Sequence, residues 1–179
     1  GIVQALYEKK LTTYPRTDAR VLSSAVAKII YQNINGLKRY TPVKQFADII
    51  LANGKYKGIE KTQYVDDTKV TDHYAIIPTG QITEIASLNG LQMKVYDLIV
   101  RRFLSIFYPA ADYLSVKLVI AIGKEKFFAS SKVLKNPGYL EIMGTLVKDD
   151  IKSDVMLLRI VKTLKKGDRV PVDGMNIKE

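Results

Sequence analysis

The chain has 179 residues, of which 47% are hydrophobic, and it carries a net charge of +10 at pH 7. It contains no cysteine and one histidine, which excludes a disulfide framework, a thiolate zinc site and a metal site built from several histidines. No apolar run approaches the roughly 20 residues that span a bilayer, so no membrane partner is predicted. The charge favours nucleic acid as a partner, although a solvated lysine-rich surface would account for it equally well.

The first part of the chain has the apolar spacing of a helical domain. Helices are predicted over residues 2–10, from a cap at Ser23 or Ser24 to about Ile34, over residues 42–53 and over residues 90–107. Asn35-Gly36 is predicted to end the second helix. Thr41 is predicted to cap the third, with Pro42 at its first position, and Asn89 to cap the fourth.

The spacing changes to a period of two near residue 108. Strands are predicted over residues 113–122 and 126–134, joined by a hairpin turn at Gly123-Lys124. Further strands are predicted over residues 139–143, 155–164 and 169–172. Together the two patterns predict an α+β fold.

The polar loop between the first two helices concentrates chemistry in ten residues. Residues 11–20 hold a phenol, two guanidinium groups, three threonine hydroxyls and a carboxylate. A planar guanidinium such as that of Arg16 binds phosphate through two parallel hydrogen bonds. The loop therefore favours a phosphodiester ligand, with Tyr14 as a nucleophile or as a stacking group.

Four segments stand out as motifs. The first is Leu6–Asp18 (LYEKKLTTYPRTD) and the second is Thr71–Thr79 (TDHYAIIPT). The third combines Phe103–Tyr113 with Lys132–Tyr139, and the fourth is Gly167–Val172. In this order they resemble segments of the type IA DNA topoisomerases, in particular the topoisomerase III branch, and they are spread over nearly the whole chain.

The resemblance implies how the chain is organised. Residues 1–107 would form a mainly helical, helix-turn-helix-like (winged-helix-like) domain that carries the tyrosine. Residues 108–179 would be an antiparallel β segment of the topoisomerase arch. The chain would be a central fragment of a longer enzyme, so the fragment is expected to self-associate through strands that lack their partners.

The resemblance also implies a reaction for the loop. The oxygen of Tyr14 would attack a phosphodiester of single-stranded DNA and leave a 5′-phosphotyrosyl link with a free 3′-hydroxyl, which reseals the break after strand passage without ATP. Arg16 would hold the scissile phosphate and stabilise its charge in the transition state. Thr17 and Asp18 would orient Arg16 or the loop itself, and Thr17 would also bind DNA.

Three more residues are assigned to DNA binding by the resemblance. His73 takes the place of a family histidine near the cleavage site, where a protonated imidazole could bind phosphate. Arg20 would make a second phosphate contact, and Thr79 would either contact phosphate or form a turn. The sequence departs from the family at Ala19, where serine or cysteine is usual, and at Tyr74, where a second histidine is usual.

The metal of the family is expected to lie outside this chain. The resemblance implies Mg²⁺ held by a carboxylate cluster in a separate N-terminal domain of the full-length enzyme. Asp66-Asp67 and Asp149-Asp150 are neighbouring pairs of the kind usually found in solvated turns, so no metal site is predicted here. The fragment alone is therefore expected not to cleave DNA. The remaining domains of the enzyme are expected partners, and a cytoplasmic location in a bacterium, at the nucleoid or on plasmids, is expected.

Two other functions also fit the residues. A non-catalytic single-stranded DNA-binding module would contact phosphates through Lys and Arg and would use Tyr14 only to stack a base. A plain structural domain would carry its charge incidentally. A covalent phosphotyrosine adduct distinguishes the enzyme from the module, and salt-dependent binding to a single strand distinguishes both from the structural domain.

Overall fold

The computed structural model describes residues 1–144, 159 and 162–170. Within this part of the chain lie five α-helices and one hairpin. The helices are α1 Ile2–Glu8, α2 Ser24–Leu37, α3 Lys44–Ala52, α4 Gly90–Ser105 and α5 Leu140–Met143. The strands are β1 Asp112–Ile122 and β2 Glu125–Asn136, which pair antiparallel. The predicted α+β class is confirmed.

Two helices begin at caps that the sequence predicts. The Ser23 hydroxyl at the start of α2 accepts a hydrogen bond from the Val26 N–H at 3.3 Å. At the start of α4 the Asn89 side chain accepts from the Gln92 N–H at 2.9 Å, and the Gln92 side chain accepts from the Asn89 N–H at 3.1 Å. This reciprocal pair satisfies two N–H groups that the helix itself leaves free.

Two predicted helix boundaries are wrong. Helix α2 continues through Asn35-Gly36 to Leu37, whose side chain is fully buried. The third helix starts as a 3₁₀ turn at Thr41–Val43, and Tyr40 rather than Thr41 precedes its first residue. The α-helical part begins only at Lys44, because Val43 has φ −126° and ψ 2°, outside the helical range.

The strand predicted over residues 139–143 is wrong, because these residues form α5. The N–H of Tyr139 donates to the Pro109 carbonyl at 2.9 Å, and Ile142 is fully buried. Tertiary packing thus overrides a short apolar pattern that suits either structure. The strands predicted over residues 155–164 and 169–172 lie largely outside the described residues; Arg159, Lys162 and Thr163 are helical where they are described.

The chain divides into two compact units. One comprises Gly1–Ala111 and Pro137–Leu146, and the other Asp112–Asn136 and Val147–Glu179. This division groups residues that pack together, which is a different matter from the domains of a topoisomerase. The predicted domain boundary between residues 107 and 108 therefore stays a prediction.

The first unit has the hydrophobic core that positions the loop after α1. Helix α2 packs against α3, and α4 packs against both α1 and α5. Fully buried side chains come from several of these helices: Leu6, Ile30, Ile34, Ile50, Leu104 and Ile142. Leu11 of the loop belongs to the same core. In the described residues no helix is both long and apolar enough to cross a membrane.

Candidate active site

The loop after α1 is hydrogen-bonded to residues 75–79 along its first half. Lys10 has φ +59°, and this left-handed residue turns the chain out of α1. The Thr13 N–H then donates to the Ile77 carbonyl at 2.9 Å, and the Thr13 hydroxyl accepts from the Ile77 N–H at 3.0 Å. The Thr79 N–H donates to the Leu11 carbonyl at 3.0 Å. The residue before Tyr14 is therefore held by both its backbone and its side chain.

The far end of the loop is fixed as well. The Ala75 N–H donates to the Val21 carbonyl at 2.9 Å. The Leu22 N–H donates to the Tyr64 carbonyl at 2.8 Å, and the Asp66 N–H donates to the Leu22 carbonyl at 3.1 Å. Residues 14–20 therefore span two anchored ends, which suits a loop that must present side chains in a fixed arrangement.

Tyr14 contacts two other rings. Its ring centroid is 4.4 Å from that of His73, with the planes tilted by 40°. Tyr7 of α1 makes an edge contact with the Tyr14 ring, with the centroids 5.2 Å apart and the planes at 83°. Tyr14 is partly buried, whereas His73 is exposed. The fold thus brings together a phenol and an imidazole that are 59 positions apart in the sequence.

Arg16 lies in a cleft of about 410 Å³ on one side of His73. This surface, here named the Arg16 cleft, is lined by Pro15, Arg16, Thr17, Asp18, Thr71, Asp72 and His73. Arg16 and Asp18 are both exposed. Arg20 is exposed too, and it lies outside the residues that line this cleft.

The hydroxyls of Thr17 and Thr79 are engaged within the protein. Thr17 Oγ1 donates to the His73 carbonyl at 2.7 Å and accepts from the Ala19 N–H at 3.1 Å. Thr79 Oγ1 donates to the Lys10 carbonyl at 2.5 Å and accepts from the Gln81 N–H at 3.1 Å. Both hydroxyls therefore link the loop to the segment that carries His73, and the contacts with DNA predicted for them stay predictions.

A second cleft, of about 570 Å³, lies on the α1 side of Tyr14. This surface, here named the Tyr7 cleft, is lined by Tyr7, Glu8, Lys10, Thr12, Thr13, Tyr14, His73, Tyr74, Thr79 and Gln81. His73 is the one residue that the two clefts share. The sequence motifs contain most of this lining, but nothing in the sequence pattern indicates that Gln81 joins it.

The acidic pair Asp66-Asp67 has structural partners. Asp66 accepts a hydrogen bond from the Thr68 hydroxyl at 2.6 Å and forms a salt bridge with Lys69 at 2.7 Å. The hydrogen bonds from Lys69 and Thr68 lower the pKa of Asp66 to about 2. Asp67 accepts from the Ser24 N–H at 2.8 Å, and hydrogen bonding from Ser24 lowers the pKa of Asp67. In the part of the chain that the structure describes, no three acidic or histidine side chains come together as a metal site would require. The pair Asp149-Asp150 lies outside that part.

The two clefts, which share His73, bring together five of the site residues predicted from the motifs: Tyr14, Arg16, Thr17, His73 and Thr79. A family model described as DNA topoisomerase matches residues 1–179. The chain belongs to the DNA topoisomerase family. The resemblance to this family that the motifs indicate is confirmed.

Relatives of this topoisomerase chain occur in several Bacillus species. The DNA topoisomerase 3 of Bacillus subtilis (strain 168) is 37% identical over 174 residues, and that of a Bacillus cereus strain is 35% identical over 177 residues; both alignments cover 96% of this chain. The DNA topoisomerase 3 of Bacillus licheniformis is 34% identical over 177 residues, which is 98% of this chain. The chain spans 23% of the length of each of these relatives. The predicted likeness to the bacterial topoisomerase III branch is confirmed.

Proposed function

We propose that this chain is the part of a type IA DNA topoisomerase that carries the nucleophile, and that the nucleophile is Tyr14. The observation that carries the proposal is the contact between Tyr14 and His73 at 4.4 Å, at the border of a cleft that contains Arg16. A phenol, an imidazole and a guanidinium are thus neighbours on a loop that is anchored at both ends. This is the set of groups that a phosphodiester substrate needs for attack and for charge stabilisation.

The proposed reaction exchanges one phosphoester for another. The Tyr14 oxygen forms a bond to phosphorus and gives up its proton, while the bond from phosphorus to the 3′-oxygen of the DNA strand breaks and that oxygen takes up a proton. The strand end remains attached through a 5′-phosphotyrosyl link. Attack by the 3′-hydroxyl reverses both changes, so religation after strand passage needs no ATP.

Arg16 and His73 have separate roles in this proposal. Arg16 is exposed, carries a permanent charge and presents a planar fork to the phosphate oxygens. The imidazole of His73 borders both clefts, so it can contact the same phosphate from the side of Tyr14. Thr17 positions His73 through its bond to the His73 carbonyl, and Arg20 contacts a phosphate farther along the strand.

The reaction is proposed for the full-length enzyme. The described carboxylates of this chain do not assemble a site that fits Mg²⁺, and we place the metal on carboxylates of another domain. The substrate is a single-stranded segment of DNA, the other domains of the enzyme are the partners, and the location is the bacterial cytoplasm at the nucleoid or on plasmids. The isolated chain is expected not to cleave DNA, and robust cleavage by the isolated chain with Mg²⁺ would contradict this.

The helix-turn-helix-like (winged-helix-like) description belongs to the same proposal. Helices α2 and α3 pack against each other and are joined by a short connection, as such a domain requires. Self-association of the fragment through its strands is likewise proposed, because the sheet has two strands in the part of the chain that the structure describes, and edge strands favour pairing with another chain.

The experiment that tests the proposal traps the covalent intermediate. The full-length polypeptide that contains this chain is incubated with Mg²⁺ and a single strand labelled at its 3′ end, which is the part that a 5′-phosphotyrosyl link retains, and denaturant is then added. We expect a labelled protein band that disappears in Tyr14→Phe and persists in Tyr31→Phe, a control on the exposed face of α2. A band that persists in Tyr14→Phe would contradict the assignment.

A non-catalytic module for single-stranded DNA is the second candidate. The ring contacts of Tyr14 with Tyr7 and with His73 favour it, because bases can stack on aromatic rings without any bond being broken. DNA binding without any covalent band in the same experiment would favour the module over the enzyme.

A further inference from the structure

Helix α1 ends in a backbone arrangement that normally contains glycine. The Lys10 N–H donates to the Tyr7 carbonyl at 2.8 Å, and the Leu11 N–H donates to the Leu6 carbonyl at 2.9 Å. The side chains of Leu6 and Leu11 are buried in the same core. Together these contacts form a common C-terminal capping motif of helices, in which the residue at the position of Lys10 has a left-handed backbone and is usually glycine.

Lys10 is an exception among the left-handed residues of this protein. In the part of the chain that the structure describes, every other residue with a positive φ is a glycine: Gly54, Gly58, Gly80, Gly123, Gly138, Gly144 and Gly167. A left-handed backbone brings the Cβ of any other residue too close to a carbonyl oxygen, which lowers stability. Because residues strained in this way cluster at active sites, the lysine is best explained by what its side chain does.

The side chain of Lys10 borders the cleft that contains the proposed nucleophile. Lys10 is exposed, and it lines the Tyr7 cleft together with Tyr14 and His73. Among the described residues it forms no salt bridge. The carboxylate of Glu8 in the same cleft accepts a hydrogen bond from the Gln4 amide at 3.0 Å. The ammonium of Lys10 is therefore available to an anionic group that enters the cleft.

The neighbouring Lys9 is held differently. Its Nζ donates to Ser87 Oγ at 2.8 Å and lies 4.0 Å from Glu84 Oε2. Its backbone has φ −79°, which any residue adopts, and Lys9 is not among the residues that line the Tyr7 cleft. The two lysines have the same charge but differ in backbone conformation, partners and position. Lys9 is therefore a matched control for Lys10.

We propose that Lys10 supplies a second cation for the scissile phosphate, and that its ammonium contacts a non-bridging oxygen from the side of Tyr14 while Arg16 contacts the phosphate from the adjoining cleft. The proposal rests on the proposed function, which supplies the phosphate. His73 lines both clefts, so a phosphate beside this imidazole borders both cations. A cation fixed at this place stabilises the charge of the phosphate oxygens in the transition state. Lys10 keeps its proton and forms no covalent bond in this step.

The first experiment measures stability and cleavage in Lys10→Gly, which removes the strain and the cation together. We expect the melting temperature of the chain to rise by about 2 °C, because glycine adopts a left-handed backbone without strain. We expect single-turnover cleavage by the full-length polypeptide, with Mg²⁺ and saturating DNA, to fall about thirtyfold, because a charge-assisted hydrogen bond is lost. A merely structural role of Lys10 would not combine higher stability with lower activity.

Three further variants separate the charge from the backbone. Lys10→Met keeps the strained backbone without the cation, so it should lose cleavage as Lys10→Gly does while its melting temperature stays near that of the wild type. Lys10→Arg keeps a cation and should retain most of the cleavage, and Lys9→Met should cleave at the wild-type rate. Full cleavage by Lys10→Met, equal losses in Lys9→Met and Lys10→Met, or a lower melting temperature of Lys10→Gly would each overturn the proposal.

The second experiment separates this proposal from the proposed function. If the wild type and Lys10→Met form the covalent adduct at equal rates and Tyr14→Phe forms none, the role of Lys10 is wrong and the nucleophile stands. If the wild type forms no adduct, the proposed function fails, and binding of a fluorescent oligothymidine strand still tests the contact with phosphate. We expect the slope of log affinity against log salt concentration to be smaller by about 0.7 in Lys10→Met, and an unchanged slope would overturn the contact.

Discussion

The helical unit buries its large apolar side chains, whereas the β1–β2 hairpin exposes several of its own. Ile30, Ile34 and Leu104 are fully buried in the helical unit. On the hairpin, Val119 and Phe128 are directly opposite each other in the register and are 59% and 76% exposed. The loop with Tyr14 is therefore held by a core that this chain supplies, while a two-stranded hairpin with exposed apolar groups is at best marginally stable by itself.

The largest expected effect concerns the close approach of α2 to the segment that carries His73. An added Cβ on Gly36 would lie 2.6 Å from the Cα of Gly80, which follows Thr79 directly and has φ +85°. Neither backbone can yield without moving α2, so we expect Gly36→Ala to lower the free energy of unfolding by about 3 kcal/mol. Thermal unfolding of the chain followed by circular dichroism measures this.

A matched control for this substitution is Gly90→Ala. Gly90 begins α4, has a helical backbone, and an added Cβ would meet nothing within 4 Å. We expect unchanged or slightly higher stability, since alanine favours a helix over glycine. Equal stability of the two variants would show that the helical unit does not depend on this contact.

The next effect concerns the position of His73. Thr17→Val removes the donor to the His73 carbonyl, and we expect cleavage by the full-length polypeptide to fall about fivefold, since one hydrogen bond contributes about 1 kcal/mol. Thr17→Ser keeps the donor and should stay near the wild-type rate. Equal losses of cleavage and of DNA affinity in Thr17→Val would instead indicate a direct contact between Thr17 and DNA.

Much of this arrangement could be predicted from the sequence, because local signals determine it. The caps at Ser23 and Asn89 and the turn at Gly123-Lys124 act within a few residues of the elements they define. The motifs also predict that Tyr14 and His73 belong to one site.

The rest depends on contacts between distant segments. Helix α2 continues past Asn35 because Gly36 fits against Gly80, and residues 140–143 are helical because Ile142 joins the core. The bond from Thr17 to the His73 carbonyl and the buried hydroxyl of Thr12 are likewise products of tertiary structure. No periodicity in one sequence encodes such contacts.

A smaller effect is expected at alkaline pH. Burial, followed by the charge of Asp97 and a hydrogen bond to it, raises the pKa of Tyr40 to about 12, against about 10 in an unfolded chain. The unfolded state loses this proton first, so the stability contributed by Tyr40 is complete below about pH 10 and falls between about pH 10 and 12. We expect Tyr40→Phe to flatten the decline of the melting temperature over this range.

The hairpin provides the control for the pH experiment. Tyr113 of β1 is 51% exposed, so Tyr113→Phe should leave the alkaline profile of the wild type unchanged. A profile flattened equally by both substitutions would show that the burial of Tyr40 is not the cause.

The smallest effect on stability is expected on the hairpin itself. Phe128→Ser replaces an exposed ring, so we expect a change in the free energy of unfolding within about 0.5 kcal/mol. Self-association of the chain, measured by analytical ultracentrifugation, should fall if open strands and exposed apolar groups cause it. A large loss of stability would show that the ring is packed in solution.

The most direct test of the central claim identifies the tyrosine that carries the DNA. The chain has 11 tyrosines, and a trapped adduct can be digested with protease and nuclease so that its modified peptide is sequenced by mass spectrometry. We expect a nucleotide on the peptide that contains Tyr14, followed directly by Pro15 and Arg16. A nucleotide on any other tyrosine, such as Tyr7 or Tyr74 beside it in the same cleft, would contradict the assignment of Tyr14 as the nucleophile.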